Sequence, residues 1–212
     1  MYHLYYYPCN ASLAPHFILK HLSVAHELIL VERQSKAQKS PEYLALNPAG
    51  RIPTLTFDNQ VLFESAAICW FLAETHPDAK LLPAIGDNNR AKAMQWLTYL
   101  TNTLQAELMI YFYPQHHIKE ESAQRDLVTM SEQRIYDMLV LLDKALSTTD
   151  FLVGETVTLC DYYFFMLAIW ADEIEHPPMS LPNLSQYCKR LAALPAIKEV
   201  CAIEGISLAI YQ

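Results

Sequence analysis

Glu64 and Ser65 stand at the head of an apolar helical segment, Ala66-Ala67-Ile68-Cys69-Trp70-Phe71-Leu72-Ala73. The free amides and the dipole at a helix N-terminus favour an anion, and a serine there adds a hydroxyl or caps the helix. Glu64 has the opposite preference and accepts from an ammonium group. A carboxylate beside a hydroxyl and free amides therefore reads an α-amino acid head. Upstream, Asn47-Pro48-Ala49-Gly50-Arg51-Ile52-Pro53 is a turn-rich loop that ends directly before a β-branched run. Proline cannot donate to a sheet ladder, so Pro53 belongs at a strand start or an edge. An X-Pro bond adopts cis at a cost of ~0.5–1 kcal/mol. A cis Ile52-Pro53 bond would turn the Ile52 N–H and C=O outward to an extended ligand backbone. The two segments together suit a small zwitterionic peptide.

A second group of reactive side chains lies near the start of the chain: Tyr6, Cys9, Asn10 and Ser12. Cys9 follows Pro8 at a strand-to-helix turn, where helix amides and dipole favour a thiolate. A cysteine there exchanges disulfides with a thiol ligand. A serine or asparagine instead polarises the ligand's own thiol by hydrogen bonding. The other cysteines, Cys69, Cys160, Cys188 and Cys201, sit in apolar helical patterns and read as inert core residues. Five cysteines, with no C-x-x-C pair, argue against a disulfide framework, a zinc site or a dithiol motif. Neither chemistry at Cys9 calls for a metal.

The elements that position these groups follow from periodicity and punctuation. Residues 2–7 and 26–32 read as strands, with a helix from Ser12 to Leu22 between them and Ser12 as its expected N-cap. A short helix is expected near Pro41–Leu44. Thr54–Phe57 and Val61–Phe63 flank the Asp58-Asn59-Gln60 turn as a hairpin, and a helix runs from about 65 to 76. This β-α-β-α-β-β-α order is an α/β layout. His76-Pro77 ends it, and helices are expected at about 87–113, 120–147, 159–173, 183–193 and 195–202, with Asp87 capping the first. Thr158-Leu159-Cys160-Asp161 has the spacing of a capping box.

The chain has 212 residues, 52 % of them hydrophobic, and a formal charge of −8 with scattered basic residues. That distribution lacks the clustered basic face that nucleic acid requires. No apolar run reaches the ~18 residues of a membrane span. Met1-Tyr2-His3-Leu4 lacks the basic-then-apolar layout of a signal peptide, so the expected location is the cytoplasm.

With the Asn47–Pro53 loop set before Glu64-Ser65, and with Ser12-Leu13-Ala14-Pro15-His16, the chain resembles the cytosolic glutathione transferases over nearly its whole length. The resemblance implies a thioredoxin-like domain over residues 1–78, a linker over 79–86 and an all-α helical-bundle domain over 87–212. It implies glutathione as co-substrate, no metal, a homodimer, and conjugation or thiol exchange with a hydrophobic electrophile. A non-catalytic scaffold that binds a protein partner, and a glutathione-dependent isomerase or dehalogenase, are the alternatives. Ile52, Pro53, Glu64 and Ser65 would bind glutathione, with Lys36 or Arg33 at its glycyl carboxylate. The beta class carries a cysteine immediately before the serine, where this chain has Ala11. Cys9 instead falls where omega- and zeta-like members carry an active Cys or Ser. Cys9, Asn10, Ser12 and Tyr6 all stay open as the thiol-activating group. Gln105 stands where beta-class members have a histidine, and Tyr111, Phe112 and Trp170 are candidate electrophile-pocket residues.

Overall fold

Alternation along β1 (Tyr2–Tyr6) sends Leu4 to one face of the sheet and Tyr5 to the other. Leu4 is fully buried with Phe17 and Ile18 of α1 (Leu13–His21) and Ile68 and Leu72 of α3 (Ser65–Thr75). On the opposite face Tyr5 and Tyr7 pack against Val31, Tyr43 and Ile52. β1 pairs in parallel with β2 (His26–Leu30), and antiparallel with β3 (Thr54–Phe57). β3 pairs antiparallel with β4 (Gln60–Phe63), which gives the order β2-β1-β3-β4. Asp58 and Asn59, at φ +44° and +62°, close the two-residue hairpin turn, the conformation that a tight hairpin requires. α2 (Pro41–Leu46) is capped by Ser40, whose hydroxyl accepts from the Tyr43 N–H at 3.2 Å.

The computed structural model describes residues 1–212 and resolves them into two units. The sheet unit comprises Met1–Leu82 together with Ala193–Ile210. The expected division ended the sheet domain at 78 and left 87–212 to the helices. In the structure α9 (Pro195–Glu204) lies in the sheet unit, where it buries Ile197, Val200 and Cys201. Its apolar stripe is consistent with either assignment, and only tertiary packing decides between them.

The helical unit comprises Pro83–Ala192 with Tyr211–Gln212. The single helix expected over 87–113 is three segments: α4 (Asn88–Tyr99), a π-helical stretch Leu100–Gln105, and α5 (Ala106–Phe112). Asp87 caps α4, accepting from the Asn89 N–H at 2.8 Å. α4, the π-helical stretch and α8 (Pro182–Ala192) pack against α7 (Leu159–Trp170), which is buried from Leu159 to Ile169, and α6 (Glu121–Ala145) packs against α5 and α8. A helix apolar on every side has to be a core helix. At its start the Asp161 carboxylate accepts from the Thr158 N–H at 2.6 Å, the Thr158 hydroxyl at 2.8 Å and the Leu152 N–H at 3.0 Å. The Tyr187 hydroxyl donates to the same carboxylate. The acid of the expected capping box thus also ties a preceding loop and α8 to the core helix.

Just beyond α7, the Tyr211 hydroxyl donates to Asp172 at 2.6 Å. Burial pushes the Asp172 carboxyl up to about 6; the Tyr211 hydrogen bond opposes this and Glu173 adds to it. A folded-state value above the ordinary 3.8 means that the folded chain holds the proton more tightly than the unfolded chain. The stability this contributes is full below the unfolded value and is lost as pH rises through about 6. Asp172→Asn, which stays neutral, should therefore gain on the parent between pH ~4 and ~7 in urea midpoint. An equal gap at both pH values would contradict the assignment.

Candidate functional site

Strand register brings the sequence-predicted residues of the sheet unit to one end of the sheet. Tyr5 pairs with Thr54, and Thr54 pairs with Phe63. The turn that leaves β1 through Cys9 and Asn10, the Ile52-Pro53 dipeptide and the Glu64-Ser65 pair are therefore neighbours at that end. Ile52-Pro53 is cis and precedes the paired register, which begins at Thr54.

The loop before it is fixed from behind. Tyr43 donates its hydroxyl to the Arg51 carbonyl at 2.8 Å, and the same oxygen lies 2.9 Å from Thr54 Oγ1. Asn47 donates to the same carbonyl at 2.8 Å and accepts from the Ala49 N–H at 3.1 Å. Gly50 sits at φ +58°, and a Cβ there would meet Lys39 Nζ at 2.7 Å and the Gln38 carbonyl at 3.0 Å. Tyr43 escaped sequence reasoning, whereas Asn47 opens the loop motif read from the sequence and, two residues before Ala49, forms an Asx turn. Lys39 also escaped sequence reasoning. Its ammonium donates to the Ala49 carbonyl at 3.3 Å, which makes it the cation held against this loop. Lys36, three residues earlier, is exposed at φ +60°.

Glu64 occupies φ +75°, ψ 113°, a sparsely populated conformation for a side-chain-bearing residue, and is exposed. Such strain costs on the order of 1–3 kcal/mol and persists where the surrounding structure over-determines it, often at a ligand clamp. Ser65 is the first residue of α3 and is 6 % exposed. The amides that follow it have no acceptor within the helix, as at any helix start. The arrangement offers a carboxylate, a hydroxyl and a positive helix end at neighbouring positions.

At the β1–α1 turn the predicted residues separate. Ser12 is fully buried, its hydroxyl donating to the Tyr7 carbonyl at 3.1 Å and accepting from the Tyr7 N–H at 3.3 Å. It makes no side-chain cap, because its φ −73°, ψ −16° is already helical and its oxygen does not face the first-turn amides. Its hydroxyl proton is engaged in clasping the turn. Asn10 accepts from the Ala11 N–H at 2.8 Å with Oδ1, leaving its NH₂ as the donor end. Cys9 is exposed at φ +53°, and its N–H donates to Glu204 Oε2 at 2.9 Å. Tyr6 is partly buried with its ring 6.3 Å from His16. The four remaining cysteines are buried, as expected, with thiols pushed up by burial at Cys160, Cys188 and, to about 12, at Cys201.

Gln105, Tyr111, Phe112 and Trp170 all belong to the helical unit. Gln105 closes the π-helical stretch, a distortion that is common beside functional positions, and accepts from the Tyr163 hydroxyl at 2.6 Å. Tyr111 and Phe112 meet edge to face at 5.2 Å. Burial, with Glu132 and Glu173 nearby, raises the Tyr111 phenol above its ordinary value. Trp170 keeps a buried indole N–H without a partner. A cavity of about 240 Å³ opens elsewhere on this unit, lined by Lys92, Trp96 and Leu146 among others, and includes none of these four residues. No cluster of His, Cys, Asp or Glu has the makings of a metal centre. No helix is long and apolar enough to cross a membrane.

Known proteins resemble this chain over both units. The glutathione S-transferase N-terminal domain family matches residues 8–75, and the C-terminal domain family matches residues 100–195. Glutathione S-transferase 2 of Schizosaccharomyces pombe is 32 % identical over 203 residues, 85 % of each chain. Glutathione S-transferase GstA of Escherichia coli O157:H7 is 27 % identical over 205 residues, covering 96 % of this chain and 98 % of that one. A glutathione S-transferase structure from Xylella fastidiosa superposes with a TM-score of 0.90 at 24 % identity, over 98 % of this chain and 100 % of the other. The chain belongs to the glutathione transferase family, and its fold is a thioredoxin-like α/β domain joined to an all-α domain.

Proposed function

We propose that this protein is a glutathione transferase that joins the glutathione thiol to a hydrophobic electrophile. The observation that carries the reading is the strand register that gathers Cys9-Asn10, Ile52-Pro53 and Glu64-Ser65 at one sheet end. Glu64 takes the γ-glutamyl ammonium. Ser65 and the first amides of α3 take the adjoining carboxylate. The Ile52 backbone pairs with the cysteinyl segment, and Lys39, aided by Lys36, meets the glycyl carboxylate. The sulfur then falls at the Cys9-Asn10 turn, where the Asn10 NH₂ is the donor suited to a thiolate. Ser12 acts through the shape of the turn. Gln105, Tyr111, Phe112 and Trp170 supply polar and aromatic surface for the electrophile. No step requires a metal. A homodimer is part of this reading, on the strength of family membership. Five cysteines with no disulfide among them suit a reducing compartment such as the cytoplasm.

The exposure of Cys9 favours a second activity at the same site, exchange through a glutathionyl–Cys9 disulfide. Cys9→Ser should abolish reduction of 2-hydroxyethyl disulfide by glutathione while keeping conjugation of 1-chloro-2,4-dinitrobenzene within about threefold. Thiol transfer retained in the variant would remove Cys9 from the mechanism. A parent that neither conjugates nor exchanges would leave a binding scaffold.

A further inference from the structure

The turn that carries Cys9 and Asn10 is held from the far end of the chain. Glu204, the last residue of α9, is buried, and its side chain is completely excluded from solvent. Its two carboxylate oxygens have separate tasks: Oε2 accepts the Cys9 N–H at 2.9 Å, and Oε1 lies 2.7 Å from His16 Nδ1. His16 belongs to α1, so the carboxylate grips both the turn before that helix and the helix itself. His16 Nε2 is buried without a partner, which leaves Nδ1 as the one polar anchor of the ring.

Cys9 is held at φ +53°, a left-handed conformation that a cysteine leaves readily unless something opposes it. The Glu204 contact falls on the N–H of that strained residue. A surface ion pair from the same helix, Lys20 Nζ to Glu199 Oε2 at 3.4 Å, already links α9 to α1, so a tether alone does not require a buried carboxylate. We propose that Glu204 is a positioning residue for the thiol site: by fixing the Cys9 N–H and His16 together, it sets the left-handed turn that presents Cys9 and Asn10 to the glutathione sulfur. The proposal rests on the glutathione-transferase reading above. The γ-glutamyl and cysteinyl-backbone contacts come from α3 and the Ile52-Pro53 loop, so Glu204 governs where the sulfur sits rather than whether glutathione binds.

The test compares Glu204→Ala with Glu199→Gln, which removes the surface pair only. Glutathione and 1-chloro-2,4-dinitrobenzene are the substrates, and thermal midpoints are recorded alongside. Glu204→Ala should lower kcat about tenfold or more with the KM for glutathione within about twofold, because misplacing a reacting atom costs turnover rather than binding. Glu204→Gln keeps an acceptor for the Cys9 N–H and should recover most of kcat. Glu199→Gln should match the parent. A folded Glu204→Ala protein with parental kcat, whatever its thermal midpoint, would reduce Glu204 to a structural residue and overturn the proposal. Should Glu204→Ala not fold, Glu204→Asp, which withdraws the carboxylate by one methylene, is read against the same criterion. If the parent shows no turnover, the functional reading fails on its own. Alkylation of Cys9 by iodoacetamide without glutathione then decides the positioning claim. A rate changed at least about fivefold in either direction in Glu204→Ala supports it, since without its anchor the strained Cys9 backbone relaxes and presents the thiol differently. An unchanged rate overturns it.

Discussion

Asp161→Ala is expected to destabilise the protein by about 3–5 kcal/mol, because it leaves several buried donors without an acceptor. The carboxylate is completely buried and receives the Leu152 N–H, the Thr158 N–H and hydroxyl, and the Tyr187 hydroxyl. Removing it strands all of these donors in a core that water does not reach, and each unsatisfied group costs about 1–3 kcal/mol before relaxation. Burial raises the Asp161 carboxyl above the ordinary range, and the hydrogen bonds work against that rise. Thr158→Ala removes a single hydroxyl and should cost about 1 kcal/mol. Urea unfolding of both variants gives the comparison. Equal midpoints for Asp161→Ala and Thr158→Ala would show that the carboxylate is not the organising group.

Glu64→Ala and Ser65→Ala should each weaken glutathione binding by about 1–3 kcal/mol, or ~5–150-fold in Kd. Each removes a partner from a charged group of the ligand, and hydrogen bonds to charged groups are the strong ones. Glu64 already sits at φ +75°, so the fold holds a strained residue there with its carboxylate exposed. Glu64→Gln keeps the acceptor and loses the charge, so its affinity should fall between those of the parent and Glu64→Ala. Calorimetric titration measures all three. Parental affinity in both alanine variants would move the γ-glutamyl end elsewhere.

Local chemistry wrote much of this structure into the sequence. The hairpin follows from two turn-forming residues, Asp58 and Asn59, between β-branched runs. The start of α3 at Ser65 and the capping of α7 by Thr158 and Asp161 follow from residue type and spacing alone. What escaped depends on distance along the chain. Glu204 carries no local signal of its role, because its partners Cys9 and His16 lie nearly two hundred residues away. The stripe of α9 announces burial without saying against which unit. Lys39 reaches the loop carbonyl because a left-handed turn at Lys36 starts the short 3₁₀ segment and Lys39 falls at its end, a placement that residue type alone does not announce. Leu100–Gln105 keeps an ordinary helical pattern of apolar residues, so its π winding had no local signal. Ser12 carries a cap-forming side chain, but its backbone is already helical and the hydroxyl turns to Tyr7 instead.

We read the sheet end bearing Cys9, Ile52-Pro53 and Glu64-Ser65 as a glutathione site. Calorimetric titration of the parent protein with reduced glutathione tests it most directly. Saturable binding, lost or weakened in Glu64→Ala, is the predicted result. No heat of binding at millimolar glutathione would contradict the claim.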